Sequence, residues 1–308
     1  MALSIRDYAA GISTTSPIAE TGMLASVGDV VIICSVMDSV SASYPTISTS
    51  TPPSDGTSNI YQKRNGIQYT SNSAFGSGLT DLEIWWTYIA TALTVSSSIS
   101  ITTAGGALDN GAFMSFSVTG FTGTSYRTNP WDQSATTALG FAVTNNGATR
   151  TQLTSGANVS TANAATLTFA FGGSSDNGAT VPFFESVQPG PLAGTTGTSV
   201  TPDVALENSG SNAAGLQVEY RVLAATISSA SAAFASAATA GGWGIMVDAL
   251  SQTGGATGLN PYNPWPQQGP ILAQRRKSVG WLPPRYQRHR KSGLLVPNRG
   301  LILPKKAA

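Results

Sequence analysis

DLEIWWTYIA, Asp81–Ala90, alternates along its length. In an extended chain Leu82, Ile84, Trp86 and Tyr88 share one side, and Glu83, Trp85 and Thr87 the other. A period of two, with bulky apolar groups on one side and a mixed polar set opposite, predicts a strand that hides one face. The same period runs through ATLTFAFG, Ala165–Gly172, where Leu167, Phe169 and Phe171 alternate with Thr166, Thr168 and Ala170. It recurs in GLQVEYRVLA, Gly215–Ala224, with Leu216, Val218, Tyr220 and Val222 against Gln217, Glu219 and Arg221. Asp29–Met37, Ser97–Thr103, Gly111–Gly120, Leu139–Thr144 and Trp243–Leu250 are further candidate strands.

Between these runs lie turn clusters such as Ser48–Asn59, Ala104–Gly111 and Phe171–Thr180, rich in the Gly, Asn and Asp that tolerate positive φ. No segment makes a long amphipathic helix. Ser228–Ala240, SSASAAFASAATA, has little beyond Phe234 to bury and reads equally as a helix or as strands of small residues. Eight or more strands with one hidden face call for two packed antiparallel sheets. The expected organisation is an all-β sandwich over 1–250, a Gly/Pro linker over 251–270 and a basic extended arm over 271–308.

The 308 residues suffice for one large all-β domain, and only 10% of them are charged, against about 25% in ordinary soluble domains. No apolar run reaches the roughly 20 residues of a membrane-spanning helix, so no membrane partner is expected. The opening MALSIRDYAAGIS carries Asp7 and lacks an apolar core, so it is not expected to be a secretory leader. The single cysteine, Cys34, lies in the run GDVVIICSVM and reads as a small buried hydrophobe.

The strand order carries a resemblance. GDVVIICSV (Gly28–Val36), DLEIWWTYIA, FSVTGF (Phe116–Phe121), NPWDQSATT (Asn129–Thr137), LQVEYRVLA (Leu216–Ala224) and WGIMVDAL (Trp243–Leu250) follow one another as in concanavalin A-like jelly-roll sandwiches. Such domains recur in bacteriophage structural proteins. The resemblance implies an antiparallel jelly-roll β-sandwich and a place in a virion.

Reactive constellations are scarce. The one histidine, His289, stands between Arg288 and Arg290, away from any nucleophile and acid in the body. One Cys and one His cannot make the usual zinc sets, and no phosphate-loop or nucleophile-elbow motif occurs. GTTGTSV, Gly194–Val200, has no lysine and no following helix and reads as a loop. Asp81 and Glu83 share a strand face roughly 7 Å apart and, with Trp85, could line a sugar groove. The reading preferred for them is a solvated strand face, or one covered by a neighbouring subunit. Asp109-Asn110-Gly111 and Asp176-Asn177-Gly178 place oxygens in loops, but read as hairpin turns rather than calcium loops. Trp131, after Pro130, either stacks on a sugar or plugs one end of the sandwich. No metal, no cofactor and no catalytic residue is expected.

The C-terminal stretch differs in kind. Acids end at Asp248, whereas ten of the sixteen Lys and Arg residues follow Ile271. The body holds the other six and all fifteen acids, a balance of −9 against +10. Prolines at 261, 264, 266, 270, 283, 284, 297 and 304 keep this stretch extended. Two Gly-apolar-apolar-apolar-Pro units, Gly293–Pro297 and Gly300–Pro304, end it. Six aliphatic residues and two tryptophans argue against a solvated tail, and phosphate binding accounts for the arginines alone.

A docking arm accounts for both, with short extended units adding to a partner's sheet edge while Arg and Lys meet its acids. Its expected contacts are Arg275, Arg276, Trp281, Leu282, Arg285, Tyr286, Arg288 and Arg290. Leu294, Leu295, Val296, Arg299, Leu301, Ile302 and Leu303 complete it. The expected partners are other copies of this chain and neighbouring virion proteins, and the expected function is non-enzymatic particle structure. Carbohydrate adhesion through Trp85 or Trp131, and nucleic-acid binding through the arm, are the alternatives.

Overall fold

The computed structural model describes residues 2–39, 43–70, 79–132, 140–145, 153–154, 160–176, 184–186, 198–207, 213–226, 233–236 and 242–254. Among the described residues, seventeen strands and one short 3-10 turn, Ser125–Arg127, make up the regular structure. The first half contains β1 (Ser4–Ser13), β2 (Ile18–Thr21), β3 (Val30–Ser39), β4 (Pro45–Ile47) and β5 (Gln62–Thr70). It continues with β6 (Leu79–Tyr88), β7 (Ser98–Ile101), β8 (Thr103–Gly105) and β9 (Asn110–Thr119). The second half contains β10 (Gly140–Asn145), β11 (Leu153–Thr154), β12 (Thr166–Asp176) and β13 (Phe184–Ser186). After these come β14 (Thr198–Glu207), β15 (Ala213–Leu223), β16 (Ala233–Ser236) and β17 (Gly242–Ser251). The stretch Ser228–Ala240, open between helix and strand by sequence, contributes β16.

Two five-stranded antiparallel sheets form the sandwich, in the orders β1-β9-β3-β6-β5 and β10-β17-β12-β15-β14. Each sheet is drawn from one half of the chain. Counted within its half, each also has the same order of main strands: first, fifth, second, fourth, third. The paired strands begin at residues 4 and 140, 30 and 166, 62 and 198, 79 and 213, and 110 and 242, that is 132 to 136 residues apart. The registers coincide as well. Val30 lies between Tyr88 and Val118 in the first sheet, and Leu167 between Val222 and Leu250 in the second. Both third-listed strands carry an irregularity near the same point, between Lys63 and Asn65 in β5 and between Val200 and Val204 in β14. Even the satellites correspond: β2 pairs β7 and β4 pairs β8, while β16 pairs both β11 and β13. The fold is one topological unit used twice.

Alternation places the core. Even-numbered residues of β3, β6 and β9, among them Ile32, Ile84, Trp86 and Phe116, face the second sheet. There they meet Leu167, Phe169, Phe171, Leu216, Val218 and Met246. Phe116 and Phe169 pack edge to face at 5.5 Å across this interface, a geometry worth about 1 kcal/mol beyond the area buried. Cys34 lies here, fully buried.

The expectation that these strands hide only one face is corrected. β3, β6 and β9 are buried on both faces almost throughout. Odd-numbered Val31, Ile33, Met37, Trp85 and Phe113 form a second core with Ile18, Ile99 and Ile101 of the β2–β7 ribbon and Ile47 of β4. These short ribbons, with the loops beside them, make a third layer over the first sheet. A strand enclosed on both faces reads as a near-continuous apolar run, which is what GDVVIICSVM is.

Asp109–Gly111 is not a turn apex. Asn110 and Gly111 open β9, and the positive φ in the preceding connection belongs to Gly105, at +85°. Gly111 is needed for space: a Cβ there would run into Cδ1 of Ile18 in the overlying ribbon.

Candidate functional site

β6 carries the residues that sequence offered as chemistry, and the third layer decides what they can do. Asp81 and Glu83 point away from the sandwich interior into the second core, with 1% and 0% of their surface exposed. Glu83 accepts hydrogen bonds from Lys63 Nζ on β5 and from Nε1 of Trp85 two residues along its own strand, both at 2.5 Å. Burial, followed by the charge of Glu83 and a hydrogen bond to it, pushes the Asp81 carboxyl up to about 9. At neutral pH Asp81 is therefore protonated, while Lys63 is held against Glu83. The two carboxyl groups are enclosed together, with no face open to a sugar.

Trp85 and Trp131 cannot stack on a glycan in this structure, since their rings belong to the interior at 1% and 0% exposure. Trp131 instead fills the end of the sandwich. It crosses Trp86 edge to face at 6.3 Å and bridges to Leu250. Its loop is fixed by Asp132, whose carboxylate accepts the backbone N–H groups of Ala162 and Asn163.

Sequence reasoning missed the ion pair beside it. The bulge in β5 turns Arg64 inward, where Nε donates to Oδ2 of Asp248 on β17 at 2.8 Å and the guanidinium lies 4.5 Å from the centre of the Trp131 ring. Burial raises the Asp248 carboxyl, against the opposing pull of Arg64. This contact ties the two sheets together. Only the bulge could have signalled it, because strict alternation in QKRNGIQYT gives no hint of one.

A second buried acid, Glu20 on β2, lies between ribbon and sheet. Its Oε1 accepts from Ser115 Oγ at 2.6 Å, its Oε2 has no partner among the described residues, and burial chiefly pushes it up to about 7.

A shallow cleft of about 190 Å³ opens at one end of the first sheet, lined by Ser58, Asn59, Gln62, Thr87, Tyr88 and Arg127. Its polar groups are mostly engaged internally. Asn59 bonds Asp55, Ala90 and Thr91, and Thr87 donates to the carbonyl of Ile60. Arg127 rests on the Tyr88 ring at 5.3 Å. The described residues contain no cluster of three or more His, Cys, Asp or Glu suited to a metal ion. They also contain no helix long and apolar enough to cross a membrane.

The predicted docking residues, Arg275 through Leu303, lie outside the described residues, as do His289 and Asn177-Gly178 of the second Asp-Asn-Gly. Of the expected linker, 251–254 is described and belongs to the sandwich: Gln252 donates through its backbone to Ala165 and through Nε2 to Gly120. No family model, no curated protein and no solved structure matches the chain.

Proposed function

We propose that this chain is a non-enzymatic structural protein of a virus particle, a sandwich held in a symmetric assembly by its basic C-terminal arm. The carrying observation is the charge partition: fifteen acids and six bases up to Ile271, then ten bases and no acid. An arm with twin apolar units and fixed-φ prolines suits an extended strap whose ordering cost on binding is low. The acidic body of an identical copy is a partner of matching charge, and neighbouring virion proteins are the other expected contacts.

The resemblance of the strand order to phage sandwich domains supplies the setting, as capsid decoration, cement, neck, collar or fibre attachment. Within this proposal the sandwich is a jelly-roll relative built in two successive halves rather than by strands that pass between sheets. The enclosed acids of β6 support a packing role for the residues that had suggested hydrolysis. The burial of Trp85 and Trp131 takes away the support for glycan adhesion through them.

The test is deletion of 280–308. The truncated chain is expected to fold with an unchanged far-UV spectrum and to lose its assembled mass in light scattering. A truncated chain that assembles like the full one sinks the proposal. The ten arm cations also favour a second reading, nucleic-acid binding. In that case the full chain retains a DNA oligonucleotide without any protein partner, with an affinity that falls steeply with salt.

A further inference from the structure

We infer that the outer edge of β1 is the surface on which the arm of a second copy docks, by addition of one of its apolar units as an extra strand. The inference rests on the arm reading above and names its receptor.

β1 closes one side of the first sheet and pairs only with β9. After its bulge at Arg6, residues Asp7–Ser13 run in unbroken register against Gly111–Ser117. No strand among the described residues pairs with the opposite side of β1. Strand edges of this length attract other chains unless blunted. Here the flanking surface is apolar: Tyr8 and Ile12, 40% and 46% exposed, stand on the face of β1 that continues the sandwich interior. Leu24, 41% exposed, lies on the other face, where its N–H is held by Asp7 at 2.7 Å.

An added strand alternates its side chains across the edge. Leu-Leu-Val would place Leu294 and Val296 toward Tyr8 and Ile12 and Leu295 toward Leu24. Leu301, Leu303 and Ile302 repeat that two-and-one pattern. The proline ending each unit limits the added strand to a few residues. Residues 255–292 can extend to roughly 125 Å, enough to reach a neighbouring copy. The −9 balance of that copy's body favours a +10 arm.

Tyr8→Arg with Ile12→Arg places two charges where the unit would pack, at positions already open to solvent. The double variant is expected to keep its melting temperature within a few degrees. The protein concentration at half-assembly should rise at least tenfold. In parallel, Ile12→Cys with Ile302→Cys is expected to give an intermolecular disulfide under mild oxidation, whereas Ile60→Cys, 63% exposed just before β5 at the opposite edge of the sheet, with Ile302→Cys is not. Wild-type assembly by the double arginine variant, equal cross-linking at Ile60, or a cross-link confined to one chain overturns the inference. If deletion of 280–308 abolishes assembly while the arginine variant retains it, the strap stands and only this docking edge falls. If the deletion leaves assembly intact, both fall.

Discussion

Glu20 shows how one buried atom gives a protein a pH response. The unfolded chain releases this proton near the ordinary 4.5 and the folded chain near 7, so folding takes up a proton between those values. The stability linked to Glu20 is therefore fully present below about pH 4.5 and is lost as pH rises through 7, by about 3 kcal/mol in all. Glu20→Gln is expected to flatten the melting temperature between pH 5 and 8 and to raise it at pH 8. An unchanged pH slope would show that Glu20 is not the group responsible. Arg64 and Asp248 make a different case, because each is costly without the other. Arg64→Met leaves a buried carboxylate unpaired and should cost about 3–5 kcal/mol in urea denaturation. Adding Asp248→Leu should restore most of the loss, since Phe116, the counterpart of Asp248 in the first sheet, shows that the position accepts an apolar side chain. If the double variant is no more stable than Arg64→Met, the pair is not what holds the sheets there.

At the level of elements, β1 lies close against β2. A Cβ at Gly11 would come within 2.6 Å of the Ala19 carbonyl oxygen and 2.7 Å of the Phe113 ring. Backbone cannot swing aside as a flexible side chain can, so Gly11→Ala is expected to cost about 1–3 kcal/mol. A melting temperature within a degree of wild type would refute this packing. The elements also show what was legible beforehand. The strands at 81–88, 166–171 and 216–222 announced themselves by alternation. The third layer did so only in part: Ser97–Thr103 stood out and holds β7, whereas β2, β4 and β8, three or four residues long, are too short to display a period. Its presence was nevertheless written in the strand it covers. Val31, Ile33 and Met37 are as apolar as Ile32, Cys34 and Val36, and a half-exposed strand has no use for both sets. Glu83 and Trp85 misled for the same reason: a polar group opposite an apolar face suggests solvent until something is seen to cover it.

At the scale of the sandwich the repetition of one strand order dominates, and the strand patterns legible in the sequence do not announce it. What recurs is spacing and facing rather than identity. Leu82 and Leu216, or Met114 and Met246, coincide, but Trp85 stands where the second half has Glu219 and Phe116 where it has Asp248. Inner positions need only be apolar and of fitting volume, so they drift freely while register persists. Each half buries its inner sheet face against the other. Residues 1–133 and 134–308 produced as separate chains in one cell are therefore expected to co-purify as a folded pair, and each alone to aggregate. Two soluble, independent halves would contradict the shared core.

Cys34 sits at the middle of that shared core, the chain's sole thiol and closed off from solvent by both sheets. Nature has thereby fitted the protein with a clock. An alkylating reagent meets this sulfur only when the two halves part, so the pace of labelling counts openings of the sandwich itself, undisturbed by fraying at the rim or by whatever the arm is doing.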